Sequence, residues 1–122
     1  MKLQAERPLG QYAITAYGQG FVTVNAQTYH NSLIVGHDRL QAEWQVQSID
    51  ELTSDHLLAL VGTGDVILLG TGTRQKFPQR SILRPLLVKR IGVEIMDTSA
   101  ACRTYNVLLA EGRAVVAALI VE

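Results

Sequence analysis

Two uninterrupted apolar runs constrain this chain more than any other feature: Val66-Ile67-Leu68-Leu69, and the eight residues 114–121, Ala-Val-Val-Ala-Ala-Leu-Ile-Val. Neither alternates with polar residues, so neither can line a sheet that has one wet face. A strand covered on both faces hides every side chain of such a run. The second run is rich in β-branched residues and too short for an ordinary buried helix, which predicts a central strand. Eight residues also fall far short of the roughly 20 that span a bilayer.

The segments around these runs change period. Ser54 is a candidate N-cap with Asp55 in the first turn, and Leu57, Leu58, Leu60 and Val61 make an apolar face, predicting a short helix over residues 54–61. Residues 80–90 place Ile82, Leu83, Leu86 and Leu87 on one side and Arg80, Arg84 and Lys89 on others, a second helix ended by Gly92. Pro85 lies in this helix, expected in or near its first turn or at a kink. Val93-Glu94-Ile95-Met96 alternates as a strand at a sheet margin does. Asp97 or Thr98 then caps a third helix, whose apolar face is Ala101, Tyr105, Leu108 and Leu109 and whose stop is Gly112. This order of strand, helix, strand, helix, strand favours parallel pairing.

The front of the chain is β-rich. Residues 12–24 form a hairpin about Gly18-Gln19-Gly20. A further β-rich stretch over residues 28–35 stops at Gly36-His37-Asp38, and a short strand is expected around residues 43–46. The expected fold is α/β: a single three-layer domain over residues 1–122, with a mixed central sheet, helices packed on it and an additional N-terminal β-hairpin or small sheet.

Composition narrows the function classes. With 48% hydrophobic residues and 11 Lys and Arg balancing 11 Asp and Glu, the chain can bury enough surface to fold, and it lacks the basic excess of a dedicated nucleic-acid binder. The lone cysteine, Cys102, allows no internal disulfide and no Cys-rich zinc site, and the composition reads as cytoplasmic. Residues 1–8 have no apolar core for a signal peptide, and Glu6 argues against a transit peptide.

Chemistry concentrates in few places. Gly70, Thr71, Gly72, Thr73 and Arg74 leave the carboxyl end of a buried strand, where open α/β sheets usually bind ligands. No Gly-Lys pair follows, as a phosphate loop requires, nor the third glycine of a dinucleotide fingerprint, so no cofactor is indicated. The plainer reading is a turn that lets the chain leave the sheet; the sharper one is a small-molecule or anion pocket shared with the helix start at Asp97 and Thr98. Adjacent parallel strands would bring both loops to one edge, although the charge of Asp97 weakens the anion version. Balanced charge also hides an asymmetry. Residues 74–90 hold Arg74, Lys76, Arg80, Arg84, Lys89 and Arg90 without one acid, while residues 38–65 hold six carboxylates against Arg39 alone. These are either two solvated faces or a partner surface made of Lys76, Arg80, Arg84, Lys89 and Arg90. His30, His37 and His56 lack partners at metal-ligand spacing, so no metal site is expected. Cys102 is reactive if exposed near a helix start and inert if buried beside Ala100 and Ala101. Helix capping accounts for Asp97, Thr98 and Ser99, and no catalytic residue is assigned.

Several segments in order carry a family resemblance: Val66-Ile67-Leu68-Leu69-Gly70-Thr71-Gly72, then Ile91-Gly92-Val93-Glu94-Ile95-Met96-Asp97-Thr98, then Ala101-Cys102-Arg103-Thr104-Tyr105-Asn106-Val107-Leu108, Glu111-Gly112-Arg113 and Ala117-Ala118-Leu119-Ile120. The chain resembles the small uncharacterised-domain family that includes mitochondrial complex I assembly factor three. The front hairpin and Leu33-Ile34-Val35 also fit. The resemblance implies a three-layer α/β domain with no established catalytic residues, acting through protein partners. It also implies a stand-alone cytoplasmic version, bacterial or archaeal, because the mitochondrial member carries a targeting segment. The leading expectation is a non-enzymatic interaction protein, an assembly helper for a membrane-associated respiratory complex, meeting partners through the basic segment or the front hairpin. The rival is the pocket just described. A third reading is a homodimer paired through an edge strand such as Phe21 to Val24.

Overall fold

In a computed structural model of the chain, residues 11–122 are described. Residues 1–8, read above for targeting signals, lie outside them.

The front hairpin forms as expected from β1 (Ile14–Gly18) and β2 (Phe21–Val24), which turn through Gln19 and Gly20, the latter at φ +80°. A third strand, β3 (Gln27–Tyr29), extends it into a small antiparallel sheet in the order β1-β2-β3. The link from β2 to β3 is Asn25-Ala26, both at positive φ, the geometry of a tight hairpin turn usually given to Asn-Gly. Because β2 is the inner strand, Phe21 to Val24 is not an edge, which corrects the expected docking strand; among the described residues the outer strands of this sheet are β1 and β3.

Residues 28–35 are not one strand. After β3 the chain breaks at residues 30–32 and re-enters as β4 (Leu33–Gly36) in a different sheet. Ser32 anchors the break: its buried hydroxyl accepts from the Val121 N–H at 3.1 Å and its carbonyl from the Trp44 N–H at 2.7 Å. The next strand, β5 (Arg39–Gln41), pairs with β4 directly across His37-Asp38. The strand expected at residues 43–46 is absent. Glu43 takes a left-handed φ of +59°, which ends extended pairing, and Trp44 and Val46 are buried as plugs in an irregular segment.

The first helix, α1 (Ser54–Leu58), is capped one residue earlier than expected. Thr53 Oγ1 accepts from the His56 N–H while His56 Nδ1 accepts from the Thr53 N–H, a reciprocal capping box. The apolar runs become β6 (Val66–Gly70) and β8 (Val115–Leu119), parallel neighbours with Val66 opposite Val115 and Gly70 opposite Leu119. Between them come α2 (Arg80–Val88), the edge strand β7 (Val93–Met96) and α3 (Thr98–Ala110). The large sheet runs β5-β4-β8-β6-β7, antiparallel where β4 meets β8 and parallel from β8 to β7, so it is mixed.

Two details of α2 depart from expectation. Pro85 sits in the second turn, and the carbonyl it leaves without a helical donor, that of Ser81, lies 3.4 Å from Ser54 Oγ of α1, which also donates to the Ile82 carbonyl at 2.8 Å. The helix ends on Arg90 at φ +58°, not on Gly92. The Arg90 N–H bonds to the Leu87 carbonyl and the Ile91 N–H to the Leu86 carbonyl, the double bond of a left-handed C-cap.

Both faces of the large sheet are covered, as the apolar runs demand. One packs Leu68, Val115, Ala117 and Leu119 against Ala101, Cys102, Tyr105 and Leu109 of α3 and Ile14, Val22 and Val24 of the small sheet. The other packs Ile67, Leu69, Val116 and Ala118 against Leu57 of α1, Leu86 of α2, and Trp44, Val46 and Leu52. Three layers result. Asn106 locks the front to α3, its Oδ1 accepting from the Ile14 N–H and its amide donating to the Ile14 carbonyl.

Candidate functional site

Parallel pairing of β6 with β7 and β8 puts three strand ends at one edge, and the loop after β6 meets the start of α3 there. Gly70 is required by packing: a Cβ would stand 3.0 Å from both Cα and Oγ1 of Thr98. Thr98 ties the three strands together. Its N–H donates to the Gly72 carbonyl, its Oγ1 accepts from the Gly72 N–H at 2.9 Å, and its hydroxyl donates to the Ile120 carbonyl at 2.6 Å. Thr71 is buried and folds the loop back on itself, donating to the Arg74 carbonyl and accepting from the Lys76 N–H. Asp97 caps α3 by accepting from the Ala100 N–H at 2.8 Å.

The predicted ligand residues therefore divide. Gly72, Thr73 and Thr98 line a cavity of about 350 Å³ beneath the β1–β2 turn, while Gly70, Thr71, Arg74 and Asp97 are not among its lining residues. The remaining wall includes Tyr17, Phe21, Ser99 and Glu122, none of which sequence reasoning assigned to it. Glu122 matters most. Its Oε1 accepts from the Thr73 N–H at 3.1 Å and lies 3.4 Å from the Thr73 hydroxyl, and a Cβ on Gly72 would collide with the carboxylate. The chain thus seats its own carboxylate on the loop that an external anion would need. The signal was available in principle, since a residue just past β8 must emerge beside the end of its parallel neighbour β6.

Cys102 is buried, and desolvation pushes its thiol up to about 12, Arg103 pulling weakly the other way and Asp97 adding to the rise. It is a packing residue. Tyr105 is raised as well, by burial first and by Asp38 second, and its hydroxyl donates to the Tyr12 carbonyl at 2.6 Å. Arg103 donates to the Tyr17 hydroxyl at 3.2 Å and lies 6.0 Å from the centre of that ring. Among the described residues no group of His, Cys, Asp and Glu is placed to hold a metal ion.

The second candidate surface stands on the other layer. Lys76, Arg80, Arg84, Lys89 and Arg90 are all exposed, as is Arg74. Among the described residues none of them forms an ion pair; the one such contact joins His37 to Asp38. Three of the large exposed apolar residues lie in the same stretch: Phe77 at 70% exposure, Leu87 at 68% and Val88 at 76%. Leu87 was expected on the buried side of α2, and it faces solvent because Leu86, Ile82 and Leu83 take the core contacts.

Fold and surfaces together define a small two-sheet α/β domain whose glycine-rich loop is closed by its own side chains and whose cations gather on one segment. Residues 14–120 match the family described as "Protein of unknown function (DUF498/DUF598)", and the chain belongs to it. It is 32% identical over 121 residues to the NADH dehydrogenase (ubiquinone) 1 alpha subcomplex assembly factor 3 of Bos taurus, covering 97% of this chain but only 65% of the bovine protein's length. It is 29% identical to the "13 kDa major membrane protein" of Francisella tularensis, over 93% of this chain and 94% of that protein. The crystal structure of a Bordetella parapertussis protein superposes with a TM-score of 0.83 at 39% identity, covering 94% of this chain and all of that one. Among the described residues no helix is long and apolar enough to cross a membrane.

Proposed function

We propose that this chain is a non-enzymatic interaction protein that helps assemble a membrane-associated respiratory complex, and that Lys76, Arg80, Arg84, Lys89 and Arg90 form its partner surface. The observation that carries the reading is the likeness to the bovine assembly factor along 97% of this chain. The family thus contains proteins named for assembly. The bovine protein extends beyond the shared part, so the role proposed here is the part that one domain can perform: holding a protein partner in place. Cations that form no ion pair among the described residues, beside exposed Leu87 and Val88, suit an acidic, partly apolar protein surface. We assign the chain to the cytoplasm, working where the complex is built; the Francisella relative named a membrane protein fits such a place.

The test is affinity purification of the tagged chain from its host, with an Arg80→Glu/Arg84→Glu variant beside it. Recovery of a respiratory-complex subunit, lost in the variant, supports both role and surface. Retention of every partner by the variant removes the surface, and absence of any such subunit removes the role.

A second reading has one specific observation behind it, the cavity into which Gly72, Thr73 and Thr98 converge. The carboxylate of Glu122 on its wall opposes an anion, so the ligand would be neutral or cationic. A Ser99→Trp variant fills the cavity without touching Gly72, whose φ of +106° and contact with Glu122 make it a poor site for substitution. Unchanged thermal shifts with neutral and cationic metabolites in this variant would end the pocket reading.

A further inference from the structure

We infer that the exposed side of α2 docks on an anionic phospholipid surface, with its cations against headgroups and its apolar residues in the interface. The inference rests on the reading of this segment as the working surface and names a lipid as what that surface meets.

The arrangement of side chains carries it. Arg80, Arg84, Leu87 and Val88 fall by helical spacing within a sector of about 100° on α2, and all four are exposed. Ile82, Leu83 and Leu86 point instead into the core beneath. Leu87, four positions after Leu83, carries the covered apolar side out into solvent, and Val88, four after Arg84, stands in the cationic sector. Leu87 and Val88 keep 68% and 76% of their surface in water, and Phe77, three residues before the helix, keeps 70%. Solitary exposed apolar residues are ordinary; three large ones within 12 positions, flanked on both sides by cations, are a pattern.

Charge and exposed apolar surface together call for an occupant that is anionic and apolar at once, as the acidic, partly apolar protein surface above would be and as an anionic bilayer is. Six cations and no carboxylate occupy residues 74–90, and among the described residues no ion pair neutralises them. A neutral apolar partner would leave the cations stranded, and a purely acidic one would leave Leu87, Val88 and Phe77 in water. An anionic bilayer satisfies both, because basic residues near it gain from its surface potential while apolar side chains enter the acyl boundary. The helix is nine residues long, far too short to span, so the contact is peripheral.

Flotation of the full chain with vesicles of phosphatidylcholine alone, and of phosphatidylcholine mixed with phosphatidylglycerol, tests this. Binding to the mixed vesicles should exceed binding to neutral ones by at least about tenfold and decline steeply with salt, each basic residue near the surface being worth about fivefold. Arg80→Glu/Arg84→Glu should remove most of that preference. Leu87→Ser/Val88→Ser, which keeps every charge and changes only exposed positions, should lose binding comparably while its melting temperature stays unchanged. Equal binding to both vesicle types, or full binding by the serine variant, overturns the inference. If neither vesicle type binds yet a respiratory subunit is captured and then lost in the serine variant, the sector is a protein interface and the assembly reading survives alone. If anionic vesicles bind and no subunit is captured, the lipid inference stands and the assembly reading falls.

Discussion

Ala26 occupies the second position of the β2–β3 turn at φ +75°, next to Asn25 at +48°. Asparagine tolerates the left-handed region, and here its Oδ1 also accepts from the Ala13 N–H at 2.9 Å. Alanine pays for that conformation with a crowded Cβ, a cost of about 1–2 kcal/mol that glycine avoids. Allowing for the entropy glycine loses on folding, Ala26→Gly should stabilise the chain by about 0.5–1 kcal/mol and raise its melting temperature by about 2–4 °C in calorimetry. No change, or a fall, would show that the turn is not held in this geometry. A second expectation concerns Cys102. Its folded pKa of about 12 lies above the thiol's ordinary value of 9.0, so the folded chain keeps a proton that the unfolded chain gives up in between. The contribution is therefore intact below pH 9 and lost as pH rises from 9 towards 12, at up to about 1.4 kcal/mol per pH unit. Tyr105, raised by burial, adds a loss of the same sign at alkaline pH. Urea unfolding across this window should show Cys102→Ala losing less stability on alkalinisation than the parent, whatever its starting stability. At neutral pH the parent thiol should react with an alkylating reagent only as fast as the chain opens.

At the level of elements, the join between α1 and α2 makes a sharper prediction. Pro85 removes the donor for the Ser81 carbonyl, and Ser54 of the neighbouring helix stands 3.4 Å from it and 2.8 Å from the Ile82 carbonyl. Ser54→Ala should cost about 1–2 kcal/mol in denaturant titrations, because carbonyls at a partly buried helix join lose their donor. In a Pro85→Ala background the helix supplies its own N–H to Ser81, so the same serine substitution should cost less, with a coupling of about 0.5–1 kcal/mol. Additive effects would remove the link between the two residues. Much of the fold was legible in the sequence where local pattern and tertiary demand agree: the unbroken apolar runs of β6 and β8, the alternating Val93-Glu94-Ile95-Met96 at the edge, Asp97 and Gly112 at the ends of α3. It was illegible where side-chain type concealed backbone geometry. Ala26, Glu43 and Arg90 all take positive φ without being glycine; Glu43 stands where a strand was expected, and Arg90 ends α2 before the expected Gly92. Trp44 and Val46 imitate a strand because plugs and strands both need buried apolar residues. Parallel topology brings Gly72 to Thr98 and also places Glu122 beside the same loop, but the bond from Glu122 to Thr73 depends on the direction of one side chain, which no pattern encodes.

Over the whole molecule, balanced composition conceals charge that is separated along the chain. The formal net charge is zero and the sequence pI about 6.8, so a uniformly mixed surface would give little retention on either ion exchanger near neutrality. Here the cations of residues 74–90 are exposed and unpaired among the described residues, while the acids Asp38, Glu43, Asp50, Glu51, Asp55 and Asp65 are exposed as well. Charges of one sign gathered on one segment act together over a screening length of about 10 Å at 0.1 M salt, and a matrix, like a partner, meets the pole and not the average. The chain should therefore be retained on a cation-exchange matrix at neutral pH and low salt despite its null net charge. Arg80→Glu/Arg84→Glu should lose that retention, and the result would carry weight because it exceeds what the changed total predicts for other sites: the same reversal at Arg39 and Arg113, which alters net charge equally, should leave most of it. Equal losses from the two double variants would mean that the total charge governs, and that the 74–90 segment is only a solvated face. Unequal losses would locate the pole on α2 before any partner is known, which separates the existence of the working surface from the identity of what it binds.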